Sequence, residues 1–248
     1  MVVSNCTISS NSGGGIYNNG GTLNVTNSSI SSNSGYGLYN AGTLNVTNST
    51  FSSNSANAIN LPSGGGIYNT DTGTLNVTNS TFSSNSASAI GGYSGGGILN
   101  TGTLTVTNST FSGNFASGLE FGGGILNTGA GATTLKNTIM VNNTGGGNCG
   151  CAFTDGGGNL EDGTTCGFNA ANGSFPNTNP QLGALTGSPA YFPLNANSPA
   201  IDAGNATTCA AAVGSPNYGA GGLDQRGQPR NDLQCDSGAY EMQMSDRN

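Results

Sequence analysis

The chain has 248 residues but only four Lys or Arg and eleven Asp or Glu, for a formal net charge of −7. Charged residues make up 6%, against roughly a quarter in an ordinary soluble domain. Four basic residues cannot make the footprint of a nucleic-acid binder or a basic membrane-surface helix. The absence of His excludes a Ser-His-Asp triad and a His-ligated metal. Gly (44) and Asn (36) are abundant, yet the apolar third of the chain is regularly placed, unlike a disordered polar chain. No stretch approaches the ~20 apolar residues of a spanning helix, so no membrane insertion is expected. Met1–Val3 is not a signal peptide. Six Cys, mostly C-terminal, point to an oxidising compartment. An export signal has therefore been removed or lies upstream.

Along the chain, Thr-Leu-Asn-Val-Thr-Asn occurs at 22–27, 43–48 and 74–79, as Thr-Leu-Thr-Val-Thr-Asn at 103–108, and in degenerate form at 134–137. The anchors Val3, Val25, Val46, Val77, Val106 and Leu135 are spaced by 22, 21, 31, 29 and 29 residues. The minimal period is thus about 21, with insertions of about eight to ten residues. Each period holds three strand-like pieces: Thr-Leu-Asn-Val-Thr, then Ile/Phe-Ser-Ser-Asn, then Gly-Gly-Gly-Ile-Tyr/Leu-Asn. Period-two alternation is a strand signal. Three such strands per short repeat make one coil of a three-faced, single-stranded parallel β-helix, an all-β solenoid with coils stacked about 4.8 Å apart.

This geometry predicts an interior of Leu23 and Val25 with their equivalents. It adds one column of Ile8, Ile30, Phe51, Phe82, Phe111 and Met140, and another of Ile16, Leu38, Ile67, Ile98 and Ile125. Each strand ends in Asn, giving three candidate ladders: Asn5/27/48/79/108/137, Asn11/33/54/85/114/143 and Asn18/40/69/100/127. Asn amides can bond like residues above and below and tolerate left-handed turns. The ladders are read as structural.

The Gly-Gly-Gly-Ile and Phe-Ser-Ser-Asn motifs resemble the repeats of polymorphic outer-membrane proteins and related passengers, which implies a right-handed β-helix over about residues 2–145. Asn197-Ser-Pro-Ala-Ile-Asp-Ala-Gly204, Asp224-Gln-Arg-Gly-Gln-Pro-Arg230 and Cys235-Asp-Ser-Gly-Ala-Tyr-Glu241 closely resemble the ending of bacterial choice-of-anchor Q domain proteins. That resemblance implies a bacterial secreted or surface protein. Nothing after Glu241 reads as an anchor, which favours secretion. The division expected is 1–145 for the repeats and 146–248 for final irregular coils and a disulfide-containing C-terminal cap.

Such a cap would protect the last sheet edge. Arg226 and Arg230 are expected to pair with some of Asp202, Asp224, Asp232 and Asp236. A structural Ca²⁺ held by those aspartates is the alternative, although their spacing is not that of an EF-hand; no other cofactor is expected. Cys209 and Cys235 bracket the Asp224–Arg230 segment and form the natural pair. Cys166 pairs with Cys149 or Cys151, the expected disulfide residues being Cys209, Cys235, Cys166 and Cys151. Cys6, in the first coil, is read as free or intermolecular.

Carboxylate-pair catalysis finds little support. Through residue 135 the only charges are Asp71 and Glu120, and the repeat register puts them at different corners. The chain is therefore read as a non-catalytic structural or adhesive protein, with a polysaccharide lyase or hydrolase as the remote alternative. Three surfaces are binding candidates. One is the outward Thr-x-Asn-x-Thr face of Thr22, Asn24, Thr26, Thr43, Asn45, Thr47, Thr74, Asn76, Thr78, Thr103, Thr105 and Thr107, suited to ice or glycan. The second is a stacking stripe of Tyr17, Tyr39 and Tyr68 continued by Leu99 and Leu126. The third is the ledge of insertions at 56–63, 87–94 and 116–121, whose loops are expected mainly to pack on one another. Expected partners are an extracellular glycan, a cell-surface or matrix component, or a second copy stacked head to tail on the open first coil.

Overall fold

The computed structural model describes residues 1–230 and 234–246. Three parallel sheets run through residues 2–161. The first face stacks Val2–Ser4, Thr22–Thr26, Thr43–Thr47, Thr74–Thr78, Thr103–Thr107, Thr133–Lys136 and Thr154–Asp155. The second runs from Thr7–Ser9 through Thr50–Ser52 and Thr81–Ser83 to Leu160–Glu161, and the third from Ile16–Asn18 through Ile67–Asn69 to Cys149–Gly150. The registers are those expected from the repeat: Val3 pairs with Val25, Val25 with Val46, Phe51 with Phe82 and Ile67 with Ile98.

Alternation along each strand turns one side chain in two into a single core. Val25, Ile30, Leu44, Phe51, Ile67, Phe82 and Phe111 are all sealed from solvent. The stacked Phe rings lie 5.0 Å (Phe51–Phe82) and 4.5 Å (Phe82–Phe111) apart, within 4° of parallel. At its far end the core is plugged by Phe168, the Cys149–Cys166 pair and the partly buried Phe153.

Two of the expected Asn ladders are continuous. Asn11 donates to Asn33, Asn33 to Asn54, Asn54 to Asn85, Asn85 to Asn114 and Asn114 to Asn143, at 2.7–2.9 Å. Asn18, Asn40, Asn69, Asn100 and Asn127 are linked likewise at 2.7–2.8 Å. The third set behaves differently. Asn5, Asn27, Asn48, Asn79, Asn108 and Asn137 are the left-handed corner residues, with φ between 44° and 54°. Of their side chains, Asn137 donates to Asn108 at 3.2 Å, while the Asn79 and Asn108 amides are drawn to the C-terminal segment. The Asn79 amide donates to the Ala220 carbonyl and that of Asn108 to Cys209 Sγ. A ladder not foreseen runs beside this corner: the Ser28, Ser49 and Ser80 amides donate to the hydroxyls of Ser49, Ser80 and Ser109 at 3.1–3.2 Å.

The insertions do pack on one another, as regular parallel sheets. Ser55–Ile59, Ser86–Ile90 and Phe115–Ser117 form one; Ser63–Gly64, Tyr93–Gly95 and Glu120–Gly122 form the other. Together they make a fin at one corner, with Ala56, Ala87 and Ala116 buried inside and Ile59, Ile90 and Leu119 about 70% exposed on its rim. The Gly triplets at 64–66, 95–97 and 122–124 occur where fin and coil meet. A Cβ on Gly65 would lie 2.4 Å from the Gly96 carbonyl and 2.6 Å from that of Ser86, so no larger residue fits.

Past the plugged end, the C-terminal segment folds back along the flank of the second face. Gln225 bonds both Thr81 (2.6 Å) and Thr50 (3.0 Å), the Thr50 hydroxyl donates to the Ala190 carbonyl, and the Ala239 amide donates to the Thr110 hydroxyl. Thr50, Thr81 and Thr110 share one register column.

Candidate functional site

The Thr-x-Asn-x-Thr columns stand in register on the first face, as expected. Asn45 donates to Asn24 at 2.8 Å and Asn76 to Asn45 at 2.9 Å. The face is not an open plane. The stretch 213–218 crosses it, the Thr107 hydroxyl donates to the Tyr218 carbonyl at 2.8 Å, and Thr78 and Thr107 are buried. The result is a groove of about 650 Å³ floored by Asn24, Asn45, Asn76 and Thr47 and walled by Val213 and Tyr218. Thr22 and Thr103 stay exposed, and Thr26, Thr43, Thr74 and Thr105 are half-buried.

On the third face the expected Tyr stripe is present and is joined by Tyr36, which sequence reasoning missed. Tyr17 and Tyr39 stack at 4.4 Å, Tyr39 meets Tyr68 edge-on at 5.5 Å, and Tyr36 leans on Tyr68 at 5.8 Å. Burial raises the pKa of Tyr36, Tyr39 and Tyr68, with neighbouring phenols adding to it. The expected outward continuation through Leu99 and Leu126 is corrected: both are sealed, because the inserted strands lie alongside this sheet.

Here the fin and the coil enclose a second groove, about 910 Å³, lined by Tyr68, Asp71, Tyr93, Thr101, Glu120 and Asn127 among others. Asp71 and Glu120 do sit at different corners, Asp71 in the turn between the third and first faces and Glu120 on the fin between the second and third, yet both line this one groove. Cys151 also lines this groove. It is exposed and unpaired, and the expected Cys151–Cys166 pairing is replaced by Cys149–Cys166. Cys149 takes the inward register position after Ile125, whereas Cys151 lies at the following left-handed turn. Burial, then Glu120, raises the Cys151 pKa and keeps the thiol protonated. Cys6 is free and Cys209 pairs with Cys235, both as expected.

The C-terminal motifs converge on one ionic network. Arg226 pairs with Asp224 at 2.8 Å and lies over the Tyr240 ring, 4.0 Å from its centroid. The buried Arg230 pairs with Glu241 at 2.8 Å, a partner outside the expected aspartates. Asp236 accepts from the Asp202 and Met242 amides. Asp232 lies outside the described residues.

Two tail carboxyls are shifted in opposite directions. Burial raises Glu161, against the Cys166 amide and the Asn148 side chain that donate to it. Burial also opposes ionisation of Asp155, but donors from Asn169, Ser174, Asn159 and Gly157 outweigh it and lower its pKa. For Glu161 the folded state keeps a proton that the unfolded chain releases. Its stabilising contribution is therefore full below the unfolded value, about 4.3, and is lost as pH rises through the folded pKa. For Asp155 the contribution is present above about 3.9 and lost as pH falls through the lowered folded pKa. Urea titrations should show Glu161→Gln gaining relative to wild type as pH rises from 4 to 7, and Asp155→Asn gaining as pH falls below 4. Parallel curves for variant and parent would contradict the assignment.

Among known families, the model described as a right handed beta helix region matches residues 1–98. No curated protein and no solved structure matches the chain. No helix among the described residues is long and apolar enough to cross a membrane. The stacked parallel sheets give the chain the fold of a right-handed parallel β-helix, in keeping with the match over its first 98 residues, followed by a disulfide-bonded C-terminal segment.

Proposed function

We propose that the protein is a secreted or cell-surface structural and adhesive β-helix, without catalytic activity, that holds a neutral glycan in the Thr-Asn groove. The observation that carries this reading is the in-register array of Asn24, Asn45 and Asn76 between Thr columns, walled by Val213 and Tyr218. Rungs about 4.8 Å apart present amides and hydroxyls at a regular interval, which suits an uncharged polymer with a short repeat. No carboxylate or basic side chain lines this groove, so it lacks the paired acids of glycoside hydrolysis. The resemblance of the tail motifs to choice-of-anchor Q proteins supports a bacterial surface or secreted location, and the disulfides fit an oxidising compartment. Ice binding would use the same Thr columns. The burial of Thr78 and Thr107 shrinks the flat area open to an ice plane and favours a ligand that lies in a groove.

The test is retention on neutral polysaccharides, with ice-recrystallisation and depolymerisation assays run on the same samples. Thr47→Tyr fills the groove floor and should abolish retention without releasing reducing ends from any substrate. Retention at the parent level would sink the assignment. Ice activity in the parent, lost in Thr47→Tyr, would move the function to ice.

A further inference from the structure

The second groove rests on its own observations, independent of the Thr-Asn face. Tyr17, Tyr39 and Tyr68 occupy one register position on three successive rungs. Tyr17 and Tyr39 stack on each other and Tyr39 meets Tyr68 edge-on, so the column buttresses Tyr68. Tyr68 lines the groove, and so does Tyr93 on the fin. Two Tyr rings lining one groove suit a sugar ring, whose apolar face packs on an aromatic side chain.

The charge pattern narrows the class. Asp71 and Glu120 are the only charged side chains in the first 135 residues, both are exposed, and both line this groove. Among the described residues neither stands in a salt bridge. Lys136, the next charged residue, reaches the Asn217 carbonyl on the C-terminal segment instead. A concave site with two carboxylates and no counter-charge attracts cations and repels polyanions. Tyr faces add attraction for an ammonium group. We propose that this groove binds an amine-bearing, N-deacetylated hexosamine oligosaccharide. Its rings pack on Tyr68 and Tyr93 and its ammonium groups face Asp71 and Glu120.

Calorimetry on the full chain would compare the glucosamine hexasaccharide, its fully N-acetylated counterpart, a galacturonate hexasaccharide and spermidine. The glucosamine hexasaccharide should bind at least about tenfold more tightly than each of the others, with affinity falling as salt is raised. Asp71→Asn combined with Glu120→Gln should lose about tenfold; both positions are exposed, so folding is preserved. Tyr68→Ala should weaken binding further, and Tyr93→Ala, at an exposed ring that also lines the groove, serves if Tyr68→Ala does not fold. Thr47→Tyr should leave this binding unchanged, which separates it from the Thr-Asn groove. Equal affinity for the acetylated and deacetylated hexasaccharides would overturn the proposal. So would spermidine binding as tightly as the hexasaccharide, or a Asp71→Asn/Glu120→Gln variant that binds like the parent.

Discussion

Replacing Arg230 with Met is expected to destabilise the protein by about 3–5 kcal/mol, the cost of removing one partner from a buried ion pair. The guanidinium is sealed from solvent together with Glu241, 2.8 Å away. It also donates to the carbonyls of Leu223, Asp236 and Gly238 and to the Asn79 side chain. Burial lowers its pKa, and Glu241, Asp224 and Asp236 oppose that. Met restores much of the volume, so the loss reports charge and hydrogen bonding rather than a cavity. The damage should be local in sequence. Because Arg230 ties the C-terminal segment to Asn79, limited proteolysis should cut between about residues 188 and 246 well before the coils. A second substitution, Glu241→Leu on the Arg230→Met background, should recover part of the loss, since the stranded carboxylate is then gone. An unfolding midpoint within experimental error of wild type would show that the pair is not what fastens this segment.

Asn85→Ala carries the second large effect, about 3 kcal/mol or more. The Asn85 Oδ1 accepts from both the amide and the side chain of Asn54, and its Nδ2 donates to Asn114 and to the Phe51 carbonyl. Ala therefore strands buried groups on three residues at once, each worth about 1–3 kcal/mol when unsatisfied. Asn45→Ala is the matched comparison. Asn45 belongs to the outer ladder and is half-buried, so water can replace its bonds and the cost should stay near or below about 1 kcal/mol. Equal losses at the two positions, measured by denaturant midpoint, would mean that burial is not what makes the inner ladder matter.

The coil body was legible because its signal is repeated six times over. Val3, Val25, Val46, Val77, Val106 and Leu135 announce both period and register, and an error at one rung is corrected by its neighbours. Phe51, Phe82 and Phe111 are read inward for the same reason. What escaped the sequence has no period. The stretch 213–218 lies over Thr107 through a contact 111 residues distant, and no local pattern reports it. Leu99 and Leu126 follow Tyr68 in the outward column, but whether they face water depends on the fin, not on their own strand. Asp71 and Glu120 stay at separate corners, as the repeat register implies, and share a groove because the insertions stand up as sheets beside the third face. The difference between Cys149 and Cys151 was within reach: Cys149 continues the inward column of Ile125, and extending that column one more rung would have chosen it. The Ser49, Ser80 and Ser109 ladder also had a visible sign, the repeated Asn-Ser-Thr triplet.

A stack of coils held only by nearest neighbours behaves as a one-dimensional array that can fray rung by rung. The returning C-terminal segment changes that order. Gln225 bridges Thr50 and Thr81 across 175 and 144 residues of chain, and Ala239 reaches Thr110 across 129. These long closures lock the middle coils to a segment that comes last in the chain, which converts that part of the array into a single cooperative block. The first two coils share open grooves with that segment, one of them lined by Asn5 and Asn27 together with Pro189 and Tyr191, and both Asn still face solvent. The molecule therefore has a graded stiffness, with one softer end and a clasped centre. Contacts of such long sequence separation raise the contact order, which predicts slower folding than the coils alone would show.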